Sequence, residues 1–307
     1  MPLAALQAAA GRLSQRYRAE IQDGRAHLDD MLAVKAYLSA RLPATYAAVR
    51  ATLEAAALAL PAFSPRSLLD FGAGPGTALW AAADCWPDVR AATLVEASAA
   101  ARSVGAQLAE PTFAGVDWVD GDVTRPLPGL GQAELVTLCY VLDELSPAAI
   151  APLVERLWTL TRGVLVIVEP GTPAGWRRVT AARAQLLEAG ARLLAPCPHD
   201  APCPLATPDW CHFSRRVARS RLHRLIKNAD VPWEDEKFAY IAVARNPATQ
   251  RRARVLAPPR TGSGKVSLKL CQPDGSAIER LFTRRDGAAY KATRRVDWGD
   301  TLDPERN

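Results

Sequence analysis

The architecture of this chain is indicated by one stretch, Leu68-Leu69-Asp70-Phe71-Gly72-Ala73-Gly74-Pro75-Gly76-Thr77. An apolar run that ends in closely spaced glycines is typical of a buried strand that turns tightly into a helix. The glycines lack the last interval of the dinucleotide fingerprint G-x-G-x-x-G. Asp70 precedes the first glycine by two positions, and its carboxylate suits a cationic amine better than a phosphate. The stretch is therefore typical of an S-adenosylmethionine site.

Downstream residues complete the predicted cofactor pocket. Glu96 ends the second predicted strand, where a carboxylate can accept both ribose hydroxyls. Asp122 follows the third predicted strand and could hydrogen-bond the adenine amine, and Tyr140 ends the fourth. We predict that S-adenosylmethionine contacts Asp70, Gly72, Gly74, Gly76, Glu96, Asp122 and Tyr140. The alternative is a core of the same fold that binds no ligand.

The segments around the glycine stretch alternate between strand and helix patterns. Strands are predicted at 67–71, 92–96, 112–119, 133–140 and 163–169, with helices at 77–85, 98–108 and 147–160. This rhythm predicts an α/β fold, the Rossmann-like doubly wound sheet of a class I methyltransferase.

The rest of the chain is predicted to flank that sheet. We assign 1–62 to a helical bundle, 63–194 to the cofactor-binding domain, 195–300 to a cysteine-rich extension with a small β unit, and 301–307 to a tail. A helix is predicted at 175–194, and a strand at 238–245 is expected to rejoin the main sheet.

Composition excludes several classes of protein. Of the 307 residues, 49% are hydrophobic and 23% charged, which excludes a mainly disordered chain. No apolar run is long enough for a membrane helix and no secretory signal opens the sequence. We expect a monomer that does not bind membranes and is cytoplasmic, or mitochondrial if the source is eukaryotic.

The net charge of +6 is distributed unevenly. Residues 1–176 carry 13 basic and 18 acidic residues, whereas residues 177–307 carry 25 and 14. A basic half of this kind suggests a polyanionic partner, most often a nucleic acid. The alternative interpretation is a solvated charged surface.

The sequence does not contain a recognisable set of methyltransferase catalytic residues. The fourth strand does not end in the Asp/Asn-Pro-Pro-Tyr tetrad that marks methylation of base amines, and it has no Pro-Cys dipeptide. Asp143 and Glu169, near the ends of the fourth and fifth strands, are the only candidates for orienting a nucleophile. The sequence therefore leaves open whether a methyl group is transferred.

Four of the six cysteines form a separate group. Cys197, Cys203 and Cys211 share a proline-rich loop, and Cys271 ends a later strand. Disulfides are disfavoured without an export signal. Zinc knuckles bring two cysteines within two to four residues, and no such pair exists here. We favour an iron–sulfur cluster, with zinc or unliganded cysteines as alternatives and with His199 and His212 as substitute ligands.

A basic segment follows the cysteine loop. We predict a single helix at 214–228 with one apolar face. Its basic side chains, Arg215, Arg216, Arg219, Arg224 and Lys227, are predicted to contact RNA phosphates. The alternative is an amphipathic helix with a solvated basic side.

Several motifs together resemble one family. They are the run 69–76, the cysteine loop ending in Trp210-Cys211-His212-Phe213, Cys271, the run 41–46, and the closing Tyr290-Lys291 and Trp298-Gly299-Asp300. They resemble the Rsm-type family of methyltransferase-like proteins of the mitochondrial small ribosomal subunit, which also has bacterial members.

The resemblance has three implications. It implies a methyltransferase-like domain that binds small-subunit ribosomal RNA during assembly. It implies a [4Fe–4S] cluster held by Cys197, Cys203, Cys211 and Cys271. Two alternatives remain, a non-catalytic RNA-binding assembly factor and a small-molecule methyltransferase with a structural zinc.

Overall fold

The N-terminal region is helical. The computed structural model describes residues 2–19 and 27–302, and none of the helices in that part is both long and apolar enough to cross a membrane. The first helices are α1 (Leu3–Ala19), α2 (Met31–Ala40) and α3 (Leu42–Ala59). The Asp30 carboxylate caps α2 by accepting the Ala33 N–H at 2.7 Å, and Pro43 fits the first turn of α3.

An eight-stranded sheet forms the centre of the molecule. Its strands are β1 (Ser67–Phe71), β2 (Ala91–Glu96), β3 (Val116–Asp120), β4 (Ala133–Cys139), β5 (Thr161–Pro170), β6 (Arg192–Ala195), β7 (Phe213–Ala218) and β8 (Trp233–Ala244). The order is β3-β2-β1-β4-β5-β8-β6, with β7 also paired to β8. The strands β1 to β5 run parallel and β8 is antiparallel to β5. This is the Rossmann-like sheet of class I methyltransferases, as the sequence predicts.

Helices cover both faces of the sheet. They are α4 (Thr77–Cys85), α5 (Ala99–Ala109), α6 (Pro147–Leu160) and α7 (Pro173–Glu188). Alternate strand residues point to opposite faces, so Leu68 packs with Leu53 of α3 while Leu69 packs with Leu153 of α6. Both faces are apolar, which explains the uninterrupted apolar run in β5. The helix α3 therefore covers the sheet and does not form a separate bundle.

The predicted basic helix at 214–228 is wrong. Its first part is the strand β7, and only Arg221–Lys227 form a helix, α8, capped by the Ser220 hydroxyl. In β7, Arg215 lies opposite Glu236 and Arg216 opposite Asp235 of β8. The strand β7 therefore depends on pairing with β8, about twenty positions downstream, which a local helical pattern does not reveal.

Two other elements begin or end at residues different from those predicted. The helix predicted at 175–194 begins at Pro173 and ends at Glu188; Gly190, with a φ of +84°, then turns the chain into β6. The third strand begins at Val116, later than the predicted residue 112. The strand at 238–245 lies within β8, which pairs with β5 on one side and β6 on the other.

A second, smaller sheet follows. It contains β9 (Ala253–Val255), β10 (Arg260–Gly262), β11 (Lys265–Cys271), β12 (Ala277–Thr283) and β13 (Thr301–Leu302), and a short helix α9 (Gly287–Thr293) follows β12. The strand β11 is central, because it pairs with β9, β10 and β12. Phe282, Leu268 and Val266 lie in the apolar core of this sheet.

Candidate functional site: a cofactor cleft and a thiol-lined cavity

A cleft of about 470 Å³ opens at the carboxyl ends of β1, β2 and β4. This edge is where parallel α/β sheets bind their ligands, and the volume suits a small molecule. The cleft is lined by six of the seven residues predicted from the sequence, namely Asp70, Gly72, Gly74, Glu96, Asp122 and Tyr140. Gly76 is not among the lining residues; it caps the first turn of α4 with a φ of +88°.

Glu96 supports the glycine loop from the neighbouring strand. Its Oε2 accepts the Gly74 N–H at 2.7 Å, and its Oε1 accepts the Ser98 N–H at the same distance. Burial raises the pKa of Glu96 despite these hydrogen bonds. Gly72 has a φ of +67°, and a Cβ atom there would lie 2.4 Å from Val141 Cγ2. Position 72 of the loop therefore requires glycine. Each oxygen of Glu96 still has a lone pair that can accept a ligand hydroxyl.

Asp70 is a buried carboxylate with one uncommitted oxygen. Its Oδ1 accepts the Thr137 hydroxyl at 2.6 Å, while Oδ2 has no hydrogen-bond partner in the described part of the chain. Burial raises the pKa of Asp70 to about 7, although the Thr137 hydrogen bond acts in the opposite direction. A buried acceptor without a partner at a cleft wall fits a positively charged ligand donor.

Asp122 lies at a more open position of the cleft. Its Oδ1 accepts both the N–H and the hydroxyl of Thr124, at 2.8 and 2.7 Å. Partial burial opposes ionisation, but these hydrogen bonds outweigh it and lower the pKa of Asp122. Its other oxygen faces Arg125 at 3.5 Å. This carboxylate stays ionised as a hydrogen-bond acceptor at neutral pH.

The N-terminal region forms a wall of the cleft that the sequence did not reveal. His27, Leu28, Tyr37 and Thr45 line the cleft. The Tyr37 hydroxyl lies 3.0 Å from the Thr77 hydroxyl of α4, and the His27 imidazole Nδ1 lies 3.1 Å from Glu144 Oε1. These contacts join residues far apart in sequence, whereas local periodicity in this region indicates only helices.

Tyr140 is fixed by a buried polar network. Its hydroxyl donates to Glu236 Oε1 at 2.8 Å, and Arg41 donates to both oxygens of Glu236 at 2.6 Å. Burial and the nearby Glu236 charge raise the pKa of Tyr140 well above its ordinary value. The network links the junction of α2 and α3 to β8, so the N-terminal wall and the sheet are joined at the cleft.

We expect Arg41→Met to destabilise the protein. Removing the guanidinium leaves the Glu236 carboxylate buried beside Tyr140, which costs about 3 kcal/mol of unfolding free energy. Arg216 makes a similar bidentate pair with Asp235, but that pair is exposed, so Arg216→Met should change stability little. Urea denaturation of both variants measures the difference in stability. Equal denaturation midpoints for the two variants would show that the Arg41 network does not stabilise the folded protein.

The two weak catalytic candidates do not line the cleft. Glu169 is fully buried; its Oε1 accepts the Leu142 N–H and its Oε2 the Arg178 Nε–H, each at 2.9 Å. Asp143 is also buried, and neither of its oxygens has a hydrogen-bond partner among the described residues. Burial and the charge of Glu144 raise the pKa of Asp143 to about 6, while burial and the charge of Asp143 raise the pKa of Glu169 to about 8. Their positions indicate a role in the protein interior beneath the cleft.

A second cavity brings the four grouped cysteines together. Cys197 follows β6, Cys203 and Cys211 lie in the loop before β7, and Cys271 ends β11, yet all four line one cavity. The cavity is therefore where the two sheets meet. Burial, together with the charges of the neighbouring thiols, raises the pKa of Cys211 well above its ordinary value and that of Cys271 to about 12.

Arginines and aromatic rings order the loop around this cavity. Arg183 donates to the carbonyls of His199 and Ala201, at 3.2 and 2.5 Å, and Arg254 donates to the Pro196 carbonyl at 3.0 Å. His199 Nε2 lies 3.3 Å from Cys271 Sγ. Next to Cys211 in the chain, the His212 ring stacks on Trp210 and packs edge to face with Trp298.

Zinc ions and iron–sulfur clusters place different demands on the donor atoms of such a cavity. Within residues 2–19 and 27–302, no three His, Cys, Asp or Glu side chains are arranged to hold a single metal ion. A tetrahedral zinc would need its sulfurs about 3.8 Å apart. The described side chains therefore show neither a zinc site nor a cluster site. The described lining contains four thiols and no carboxylate, a donor set that zinc and a cubane iron–sulfur cluster both accept.

Most of the predicted RNA-contacting residues are engaged in ion pairs. Arg216 pairs with Asp235, and both Arg219 and Lys227 pair with Glu234, at 3.1 and 2.6 Å. Arg215 and Arg224, the other two predicted residues, have no carboxylate partner in the described part of the chain.

Comparisons with known proteins agree with the predicted resemblance. A family model described as mitochondrial small ribosomal subunit Rsm22 matches residues 31–303. The human mitochondrial ribosome assembly protein METTL17 is 32% identical over 87% of this chain and 61% of its own length. Rsm22-cox11 tandem protein 2 of Schizosaccharomyces pombe is 23% identical over 87% of this chain and 42% of its own. The chain thus spans less than two thirds of these relatives.

Solved structures of methyltransferases are also similar. Magnesium protoporphyrin IX methyltransferase of Synechocystis, with bound S-adenosylmethionine, is 12% identical with a TM-score of 0.44, covering 78% of this chain and 97% of its own. The N-methyltransferase NodS of Bradyrhizobium japonicum is 14% identical with a TM-score of 0.41, covering 63% and 92%.

Proposed function

The chain belongs to the Rsm22 family of mitochondrial small ribosomal subunit proteins, and from that membership we propose that it acts in assembly of the small ribosomal subunit. It binds small-subunit ribosomal RNA and carries S-adenosylmethionine in the cleft. Family membership supports the ribosomal role. The uncommitted buried oxygen of Asp70 supports the cofactor, because S-adenosylmethionine supplies the cationic amine that this oxygen lacks.

Each lining group has a distinct task in this proposal. Asp70 Oδ2 accepts the amine, the Gly72–Gly74 backbone lies against the ligand, and Glu96 accepts the ribose hydroxyls. Asp122 accepts from the adenine amine, and Tyr140 closes the inner wall. When bound, S-adenosylmethionine supplies an activated methyl group whose transfer needs only a correctly oriented nucleophile.

We further propose that Cys197, Cys203, Cys211 and Cys271 hold a [4Fe–4S] cluster. The supporting observations are the four thiols on one cavity and the absence of a carboxylate from its described lining. These thiolates would join the loop before β7 to the end of β11. The cluster would therefore supply a covalent link between the two sheets, where the proline-rich loop has little regular structure of its own.

A non-catalytic assembly factor is the second candidate. It is favoured by the burial of Asp143 and Glu169 away from the cleft. A single-turnover assay with radiolabelled S-adenosylmethionine and small-subunit RNA fragments separates the two candidates. Label on the RNA supports the enzyme, whereas bound cofactor without transfer supports the assembly factor.

Cofactor affinity should depend on pH through Asp70. The pKa of this carboxyl is raised to about 7, so below that pH it is neutral and loses its attraction for an ammonium group. We expect affinity for S-adenosylmethionine to fall by about tenfold for each pH unit below 7 and to level off above it. Calorimetric titrations between pH 5.5 and 8 measure this slope, and an unchanged affinity over that range would contradict it.

The proposed function places the chain wherever small subunits are assembled. That place is the cytoplasm of a bacterium, or the mitochondrion of a eukaryote. Sedimentation of an extract containing the tagged chain tests the role directly. We expect the chain in the small-subunit and precursor fractions at low salt, and a chain that stays at the top of the gradient would contradict the proposal.

A further inference from the structure

A group of exposed positive charges lies beside the small sheet. Arg284 and Arg285 follow β12, and Lys291, Arg294 and Arg295 lie on α9 or directly after it. All five are exposed, and in the described part of the chain none forms an ion pair with a carboxylate. We call Lys291, Arg294 and Arg295, which line one recess, the α9 basic face.

The fold holds these charges close together. Tyr290 and Ala289 pack α9 against the core of the small sheet, and Thr293 is buried with its hydroxyl bonded to the Tyr290 carbonyl at 2.8 Å. Lys291, Arg294 and Arg295 are consequently left outside, where they line one open recess. Like charges held together repel one another, so this arrangement is stabilised by a bound anion.

Arg284 lies outside the recess, directly after β12. Its backbone N–H donates to the Gly264 carbonyl at 3.1 Å, which fixes it beside the turn between β10 and β11. The Oδ2 atom of the nearby Asp286 accepts both the N–H and the hydroxyl of Thr283. The acidic group closest in sequence is therefore engaged in capping the turn.

The basic side chains of segment 214–228, which the sequence predicts to bind RNA, are mostly ion-paired, unlike those of the α9 basic face. In that segment, three of the five predicted side chains pair with Glu234 or Asp235 of β8. A polyanion must displace those carboxylates before it can use these charges, whereas the α9 basic face needs no such exchange. Affinity for a phosphate backbone rises with the number of charges available to replace counterions.

From these observations we infer that the α9 basic face is the surface that contacts the phosphate backbone of the small-subunit RNA. This inference rests on the proposed function and adds the location of the contact. The recess is lined by Lys291, Ala292, Arg294 and Arg295, with no aromatic ring on which a base could stack. The contact is therefore with backbone phosphates and does not read sequence.

The test compares two triple variants that lose the same charge. One is Lys291→Gln/Arg294→Gln/Arg295→Gln on the α9 basic face. The control is Arg50→Gln/Arg90→Gln/Arg260→Gln, which removes three exposed arginines that are ion-paired. Binding of a labelled small-subunit RNA fragment is measured by fluorescence anisotropy from 50 to 300 mM salt.

We expect the α9 variant to bind about tenfold or more weakly, with a salt slope smaller by about 2 to 3. The control should stay within about threefold of the unmodified chain. An α9 variant that binds as tightly as the unmodified chain, or no more weakly than the control, would overturn this inference and leave the proposed function intact. An unmodified chain without salt-dependent RNA binding would overturn both.

Discussion

Cys211→Ser should leave the protein almost free of iron when it is purified without oxygen. Cys211 lies in the cavity with the other three grouped cysteines. A hydroxyl is a poor ligand for a cluster that prefers thiolates, so its loss should reduce the iron content from about four atoms per chain to well below one. Elemental analysis and visible absorbance of the same sample measure the change.

Cys85→Ser provides the matched control for that experiment. Cys85 is on α4, outside the cavity, where burial raises the pKa of its thiol to about 11. This variant should keep the iron content of the unmodified chain. If the unmodified chain itself contains no iron, or if Cys211→Ser retains all of it, the cluster proposal is wrong.

Asp70→Asn should lower the affinity for S-adenosylmethionine by roughly 10- to 100-fold. Asparagine preserves the shape of the side chain but removes the charge that attracts the ligand amine. Calorimetric titration at pH 8, where the Asp70 carboxyl is ionised, measures the loss. Asp117→Asn is the control, because Asp117 is exposed on β3 and does not line the cleft.

The Asp70→Asn variant should remain folded. Because the pKa of Asp70 is raised to about 7, the folded protein at pH 8 holds a charge that burial disfavours, and this charge reduces stability above the ordinary pKa. Asp70→Asn should therefore be at least as stable as the unmodified chain at pH 8. Thermal unfolding checks this point, and unchanged affinity in a folded variant would contradict the role given to Asp70.

Much of the main fold follows from local sequence patterns. The glycine stretch marks the end of β1, and apolar runs of strand length mark β2, β4 and β5. Each of these segments is buried on both faces, so its pattern does not depend on a particular distant partner. The cleft residues were predictable for a related reason, since carboxyl ends of parallel strands meet at one edge of the sheet.

The elements that the sequence misplaced depend on distant partners. The segment 214–228 has helical periodicity, but Arg215 and Arg216 face Glu236 and Asp235 across a strand pair. A local window contains the arginines without the strand residues that they face. The network of Arg41, Glu236 and Tyr140 was missed for the same reason, because its members come from three separated segments.

Native mass spectrometry of the anaerobically purified full chain tests most directly whether both groups occupy this protein. After addition of S-adenosylmethionine, we expect a main species that is heavier than the bare chain by one four-iron cluster and one cofactor molecule. A chain that carries neither group, or that never carries both at once, would contradict it.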